Sequence, residues 1–380
     1  MRNVWMVVHR WIGLIGLIAM FILAVTGSAL VWPDATERLF HGDRFEATAK
    51  FDEERLDEYA ATALNSLPSG DRLSAMNVAP VETGRSILFG GKPHQSGRVG
   101  PPPRYRSWLD PGSGEVTSSW SLAPDGMWYM HALHGHFAIP HWGRELVGIF
   151  GLLLVVSAIS GLWIWWPRNG KILKALKWKR APDFNSNLHH MMGFWSAIPM
   201  AVLGFTGAYI VFPAIFGTFV LLATGNLGGE TGGRDHEIEP PVIASAETTT
   251  LLPSEAAAAA RAAGGGGQLI FMSWPTQERP VWMVNFDCAA TTGTCERSVL
   301  VDDKDGATTI PHDDQQPTVA SDVADLMLEV HAGHVGGIIW QLLVFLSGIV
   351  LAVLSATGVI MWASKRQGRI RVKKLRAQRA

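Results

Sequence analysis

The stretch VHRWIGLIGLIAMFILAVTG, residues Val8–Gly27, is echoed by LHHMMGFWSAIPMAVLGFTG, residues Leu188–Gly207. At an offset of 180, His9 falls on His189, Gly13 on Gly193, Met20 on Met200, and Thr26-Gly27 on Thr206-Gly207. A second offset, 197, carries His134 onto His331, Gly151 onto Gly348, Gly161 onto Gly358 and Trp165 onto Trp362. The competing offset of 200 would pair His131 with His331 and His134 with His334, but it loses both glycines and the Trp. The chain therefore reads as two copies of one unit.

Both echoes lie in apolar blocks. Trp11–Trp32 runs 22 residues without a charge, Leu146–Trp166 runs 21, Met191–Ala223 runs 33 around Pro199 and Pro213, and Val335–Ala363 runs 29. Each exceeds the roughly 18–20 residues that cross a bilayer as helix. The first block has Trp at both ends and no small-x-small cleavage site, so it reads as a retained helix rather than a signal peptide. Charged residues are 17% of the 380, against about 25% in soluble chains. A net charge of −1 argues against nucleic acid as a partner. Two Cys rule out a disulfide framework, a Cys₄ zinc site and an iron–sulfur cluster held in one chain.

Segments 1–10, 167–187 and 364–380 carry net charges of +2, +5 and +8, leaving −16 on everything else. By the positive-inside rule these segments are cytoplasmic, and they fit an anionic lipid leaflet. The expected layout is an α-helical integral membrane protein of the bacterial inner membrane. Its transmembrane helices occupy 1–33, 131–166, 188–223 and 331–363 in two helix–module–helix units. A basic loop (167–187) and a basic tail (364–380) are cytoplasmic. Residues 34–130 and 224–330 form two small periplasmic α+β domains.

Each outer module has a helix followed by strands: Asp52–Ser66, then Leu73–Ala79, Arg85–Phe89 and Tyr105–Leu109; and Pro253–Ala263, then Leu269–Trp274, Val281–Phe286 and Arg297–Val301. Cys288 and Cys295 flank a Thr/Gly turn. A periplasm would oxidise such a pair to a disulfide, the alternative being two free thiols.

The repeat selects four histidines, His9 and His189 at cytoplasmic helix ends and His134 and His331 at outer ends. A two-fold axis perpendicular to the membrane brings equivalent residues face to face when they point at it. Ionisable residues at membrane depth are usually functional, and a His pair across a bundle suits bis-imidazole ligation of b-type haem. His9, Gly13, Gly16, Met20 and Gly27 share a helix stripe, copied by His189, Gly193, Ser196, Met200 and Gly207. Such small residues leave room for a flat macrocycle, although they also serve close helix packing. Zinc or copper would draw on Cys, Asp or a tight His cluster. His131, His136, His141 and His334 crowd the outer end and are alternative ligands, haem-propionate partners, substrate contacts or solvated neighbours. His190, beside His189, is an alternative ligand but falls off the repeat.

The paired His-x-x-x-Gly…Thr-Gly helices, the Leu133-His134 and Val330-His331-x-Gly333 helix starts and the two α+β inserts together resemble the PepSY-associated transmembrane helix family. That group includes dihaem ferric-siderophore reductases of the FoxB type. The resemblance covers nearly the whole chain. It implies two PepSY-like periplasmic domains and two haem b groups, held by His9 with His189 and by His134 with His331. It also implies an oxidoreductase that reduces periplasmic ferric siderophore, of hydroxamate type, to release Fe(II) for iron uptake.

Electrons would come from a cytosolic reductant or quinol, since no dinucleotide fingerprint follows a convincing strand. The acidic outer side favours a cationic chelate. Rival expectations are a haem-handling or haem-sensing membrane protein and a non-enzymatic PepSY scaffold that restrains a partner. His134 to Trp166, as one straight helix, would span about 48 Å, lifting the outer haem to the membrane surface. Met20, Met200, Trp195 and Phe205 are then candidates to bridge a long gap.

Overall fold

The computed structural model describes residues 1–78, 84, 86–93, 105–120, 126–167, 176–177, 181, 183–225, 249–264, 266–276, 279–287, 296–311 and 319–378. Cys288 and Cys295 lie outside them. In chain order the elements begin with α1 (Arg2–Ile15), α2 (Leu17–Leu30), α3 (Pro33–Phe40) and α4 (Leu56–Ser66). Strands β1 (Asp71–Asn77), β2 (Ile87–Pro93), β3 (Tyr105–Leu109) and β4 (Val116–Trp120) follow. Next come α5 (Gly126–His136), α6 (Gly143–Trp165), α7 (Phe184–Val211), α8 (Pro213–Thr224) and α9 (Pro253–Ala262). Strands β5 (Gln268–Ser273), β6 (Val281–Asp287), β7 (Glu296–Asp302) and β8 (Thr308–Thr309) precede α10 (Val319–Ala332) and α11 (Gly337–Ala377). The chain divides into two compact units, one of helices and one built on the sheet.

In the sheet unit the two expected modules are not separate. Their strands form one antiparallel sheet in the order β4-β3-β2-β1-β5-β6-β7-β8. It closes at the centre, where Met76 of β1 pairs with Met272 of β5. Each module alone would leave β1 or β5 as an open edge, and pairing them removes both edges. Helices α4 and α9 cover one face and bury Leu56, Tyr59, Ala63, Ala256 and Ala260 against Met76, Phe89, Met272, Trp282 and Phe286. The Ala-rich face of α9 lets the helices sit close. Ser254 donates through its backbone N–H (2.9 Å) and its hydroxyl (2.5 Å) to the Asp57 carboxylate on α4. Arg261 pairs with Glu53.

In the helical unit, α6, α7 and α11 are long and apolar enough to cross a membrane. The pair α1–α2 passes the same test together but bends by 67°. The bend falls at Gly16, so the first span is not the straight helix expected. Large side chains such as Ile18, Ile159, Trp163, Ile198 and Ile339 are exposed on these helices, as a lipid-facing surface requires. The copies meet where side chains vanish. A Cβ on Gly204 of α7 would lie 2.7 Å from the Gly151 carbonyl of α6, and one on Gly348 of α11 would lie 2.6 Å from the Ala24 carbonyl of α2. These are the small-residue crossings that membrane helices use.

The expected continuous segments 131–166 and 331–363 are both broken. Between α5 and α6, Phe137, Ala138 and His141 hold left-handed φ values of 52°, 55° and 67°. From the end of α10 to the first residue of α11, Gly333, Gly336 and Gly337 adopt 93°, 80° and 62°. A right-handed helix cannot continue through such residues. His134 and His331 therefore stand on short separate helices, α5 and α10, that pack back against the bundle.

Candidate functional site

The bundle brings the four repeat-selected histidines together in two pairs. His9 of α1 and His189 of α7 have ring centroids 6.4 Å apart, with planes at 80°. His134 of α5 and His331 of α10 have centroids 6.1 Å apart, with planes at 44°. All four are half-buried.

Each ring is fastened by the neighbouring helix of its own copy. The Nδ1 of His9 lies 3.0 Å from the Ser157 carbonyl and 3.1 Å from the Ser160 hydroxyl on α6. The Nδ1 of His189 lies 3.0 Å from the Thr357 hydroxyl on α11. At the other pair, His134 Nδ1 lies 3.1 Å from the Leu23 carbonyl and 3.2 Å from the Thr26 hydroxyl on α2. His331 Nδ1 lies 2.9 Å from the Thr206 hydroxyl on α7. The two spans of a copy thus hold each other's histidine.

A glycine follows each of these hydroxyl residues and receives the ring edge. A Cβ on Gly27 would fall 2.7 Å from His134 Cε1, on Gly207 3.0 Å from His331 Cε1, on Gly161 3.0 Å from His9 Cε1, and on Gly358 3.6 Å from His189 Cε1. The unit of the site is therefore a hydroxyl–glycine dipeptide used four times: Thr26-Gly27, Ser160-Gly161, Thr206-Gly207 and Thr357-Gly358. The offset of 180 pairs Thr-Gly in the first and third spans, and the offset of 197 pairs Gly161 with Gly358. The signal for Ser160 and Thr357 was present in the same offset of 197.

Two assignments change. Gly27 and Gly207 do not keep space open, because imidazoles fill it. Gly13 does: nothing lies within 4 Å of a Cβ there, and at Gly193 the nearest atom is a Leu354 methyl at 3.8 Å. These two stand one turn from His9 and His189. Trp165, one turn beyond Gly161, is buried and stacks on Phe194 at 4.0 Å.

Among the described residues, the other histidines that the sequence singles out stay outside both pairs. His131 is exposed, with Nδ1 3.0 Å from the Met127 carbonyl. His334 pairs with Glu329 at 3.2 Å. His136, His141 and His190 join neither ring contact. Trp195 and Phe205 are exposed on the outside of the bundle, whereas Met20 and Met200 are buried. The expected 48 Å climb does not occur, because α5 sits level with Leu23 and Thr26. Thr206, which holds His331, is 17 residues from His189 along α7, so the two pairs lie about 25 Å apart along that helix.

Among the described residues, no group of three or more His, Cys, Asp and Glu side chains is gathered as a metal site. A pair can still hold one metal ion between two imidazole nitrogens. With metal–nitrogen bonds of about 2.0 Å and roughly 1.1 Å from each nitrogen to its ring centre, centroids would lie about 6.2 Å apart. Both observed spacings are close to that. Spans, crossings and histidine pairs define a multi-pass membrane protein built by duplication around paired imidazoles in its helical bundle. The chain belongs to the family described as the PepSY-associated TM region, whose profile matches residues 6–365. No curated protein matches it.

Proposed function

We propose that the chain is a dihaem electron conduit of the bacterial inner membrane, with both termini cytoplasmic, that reduces ferric siderophore on the periplasmic side. The observation that carries this is two pairs of adjacent imidazoles, with ring centroids 6.4 Å and 6.1 Å apart, one pair at each of two levels of one bundle. The donor set fits b-type haem: two imidazole nitrogens per site, no thiolate or carboxylate hydrogen-bonded to them among the described residues, and at Gly13, one turn from His9, no atom within 4 Å of the place a side chain would take.

His9 and His189 would hold the inner haem, and His134 and His331 the outer one. Bound there, the haems would supply one-electron carriers that the side chains lack. The protein's own part is to hold each ring by its Nδ1 and to exclude water with the apolar wall around Met20, Met200 and Trp165. The net reaction takes one electron from a cytosolic reductant or quinol and converts chelated Fe(III) to Fe(II). Hard oxygen ligands hold Fe(II) less tightly, so the metal is released. The acidic outer sequence favours a cationic chelate, and the resemblance to the reductases implies one of hydroxamate type.

The test uses dithionite-reduced, purified protein. Adding ferric siderophore should reoxidise the haem and deliver Fe(II) to a chromogenic chelator. Haem that stays reduced would favour a sensing or haem-handling role instead.

A further inference from the structure

All four imidazoles meet a Ser or Thr hydroxyl through Nδ1, and His9 and His134 meet a helix carbonyl through the same nitrogen as well. Carbonyl oxygens cannot donate. The Ser157 carbonyl at 3.0 Å from His9 and the Leu23 carbonyl at 3.1 Å from His134 therefore require Nδ1 to carry the proton. The hydroxyls are committed too. Thr26 donates to the Ile22 carbonyl (2.7 Å), Thr206 to Val202 (2.9 Å), Thr357 to Val353 (2.8 Å) and Ser160 to Ser157 (3.1 Å). A hydroxyl has one proton to give. Having spent it on its own helix, each can only accept from the imidazole. All four hydroxyl residues are buried, so water does not compete for them.

Resting on the haem reading above, we propose that Thr26, Ser160, Thr206 and Thr357 are positioning residues that lock His134, His9, His331 and His189 as Nδ1–H tautomers, leaving Nε2 bare for metal. Two consequences follow. Each imidazole keeps a bare Nε2 before any metal arrives, with no tautomer exchange needed. Each Nδ1–H···O bond also makes its imidazole a stronger donor, which stabilises ferric over ferrous iron and lowers the potential. The hydroxyl adds a second acceptor at an angle to the carbonyl, which stops the ring from turning about its χ2 axis. Thr206 offers the shortest such contact, 2.9 Å.

The experiment measures haem content, the two midpoint potentials and low-temperature EPR on full-length purified holoprotein. The variants are Thr206→Val, Thr206→Ser and Thr357→Val. Val keeps the branched shape and removes the hydroxyl, and Ser restores it. Thr206→Val should raise the potential of one haem and leave the other unchanged, and Thr206→Ser should return it. Thr357→Val should raise the other haem alone. Loss of one haem in Thr206→Val with retention in Thr206→Ser would support the lock equally. Unchanged potentials and EPR in both Val variants would overturn it, as would equal shifts in Val and Ser. A wild-type protein without haem would instead sink the proposed function. In that case ¹⁵N resonances of the four imidazoles still decide the lock: protonated Nδ1 with bare Nε2 supports it, and protonated Nε2 overturns it.

Discussion

The ring of His134 rests on Gly27 so closely that a Cβ there would fall 2.7 Å from Cε1, whereas Gly358 leaves 3.6 Å to the ring of His189. The copies are alike in design and unequal in tolerance. Because His134 is held by both Leu23 and Thr26 through Nδ1, its ring cannot retreat without breaking a hydrogen bond. Gly27→Ala should therefore lose or distort the outer haem, while Gly358→Ala should retain both. Haem content and absorption spectra of the two variants check this. Equal behaviour of the pair would show that the glycines do not set the ring positions.

Removing a ligand from either pair should cost one haem and no more. His9→Ala and His189→Ala should each leave one haem per chain, spectrally the outer one. His134→Ala and His331→Ala should leave the inner one. A pyridine haemochromogen assay gives the count. Two haems surviving in any of the four variants would contradict the assignment of that residue.

The ring planes differ, at 80° in the inner pair and 44° in the outer. Nearly perpendicular axial imidazoles leave two iron d orbitals close in energy and give a highly anisotropic low-spin EPR signal. Less crossed rings give an ordinary rhombic one. The oxidised protein should show both signals in equal amounts, with His9→Ala removing the anisotropic one. One signal type integrating to both haems would argue that the planes are set by the macrocycle rather than by the clamps.

In the sheet unit, Asp110 ties the entry of the domain to the end of β3. Its carboxylate accepts the Thr48 N–H at 2.7 Å, the Thr48 hydroxyl at 2.5 Å and the Ser113 N–H at 2.9 Å. Burial alone would push its pKa up, but the hydrogen bonds to Thr48 and Ser113 outweigh it and hold it well below the usual carboxylate range. A carboxyl depressed on folding contributes stability above its unfolded pKa, about 3.9, and loses it as pH falls through the folded value. At neutral pH the tie is intact. Asp110→Asn turns one acceptor into a donor facing donors and should cost about 1.5–3 kcal/mol locally. Hydrogen exchange at the Thr48 and Ser113 amides should accelerate at pH 7. Unaltered exchange would mean that the loop is held by other contacts.

Much of the site was legible because duplication leaves a record in spacing. The offsets of 180 and 197 pick out His9, His189, His134 and His331 without knowledge of the fold, and the structure pairs them. The helix breaks were not legible for a physical reason. Phe137, Ala138 and His141 carry no signature of left-handed backbone, and tertiary packing imposes it on them. Gly333, Gly336 and Gly337 do have the freedom, but in an apolar run they read equally well as a small-residue helix face. Missing those breaks placed His134 too high and made the bridging role of Trp195 and Phe205 attractive. The helices α4 and α9 and most strands were visible from periodicity, and β3 falls on its expected residues, Tyr105–Leu109. Strand β4, Val116–Trp120, was missed because its Thr and Ser residues weaken the alternation. The fusion of two modules through β1 and β5 rests on partners nearly two hundred residues apart, which local patterns do not encode.

The most direct test of the dihaem conduit is the optical and EPR spectrum of the protein purified from membranes, with haem counted per chain. Two low-spin, six-coordinate b-type haems are expected, both reduced by dithionite without an open-site, high-spin form. A protein that carries no haem when produced with ample haem supply, or one high-spin haem alone, would contradict the account.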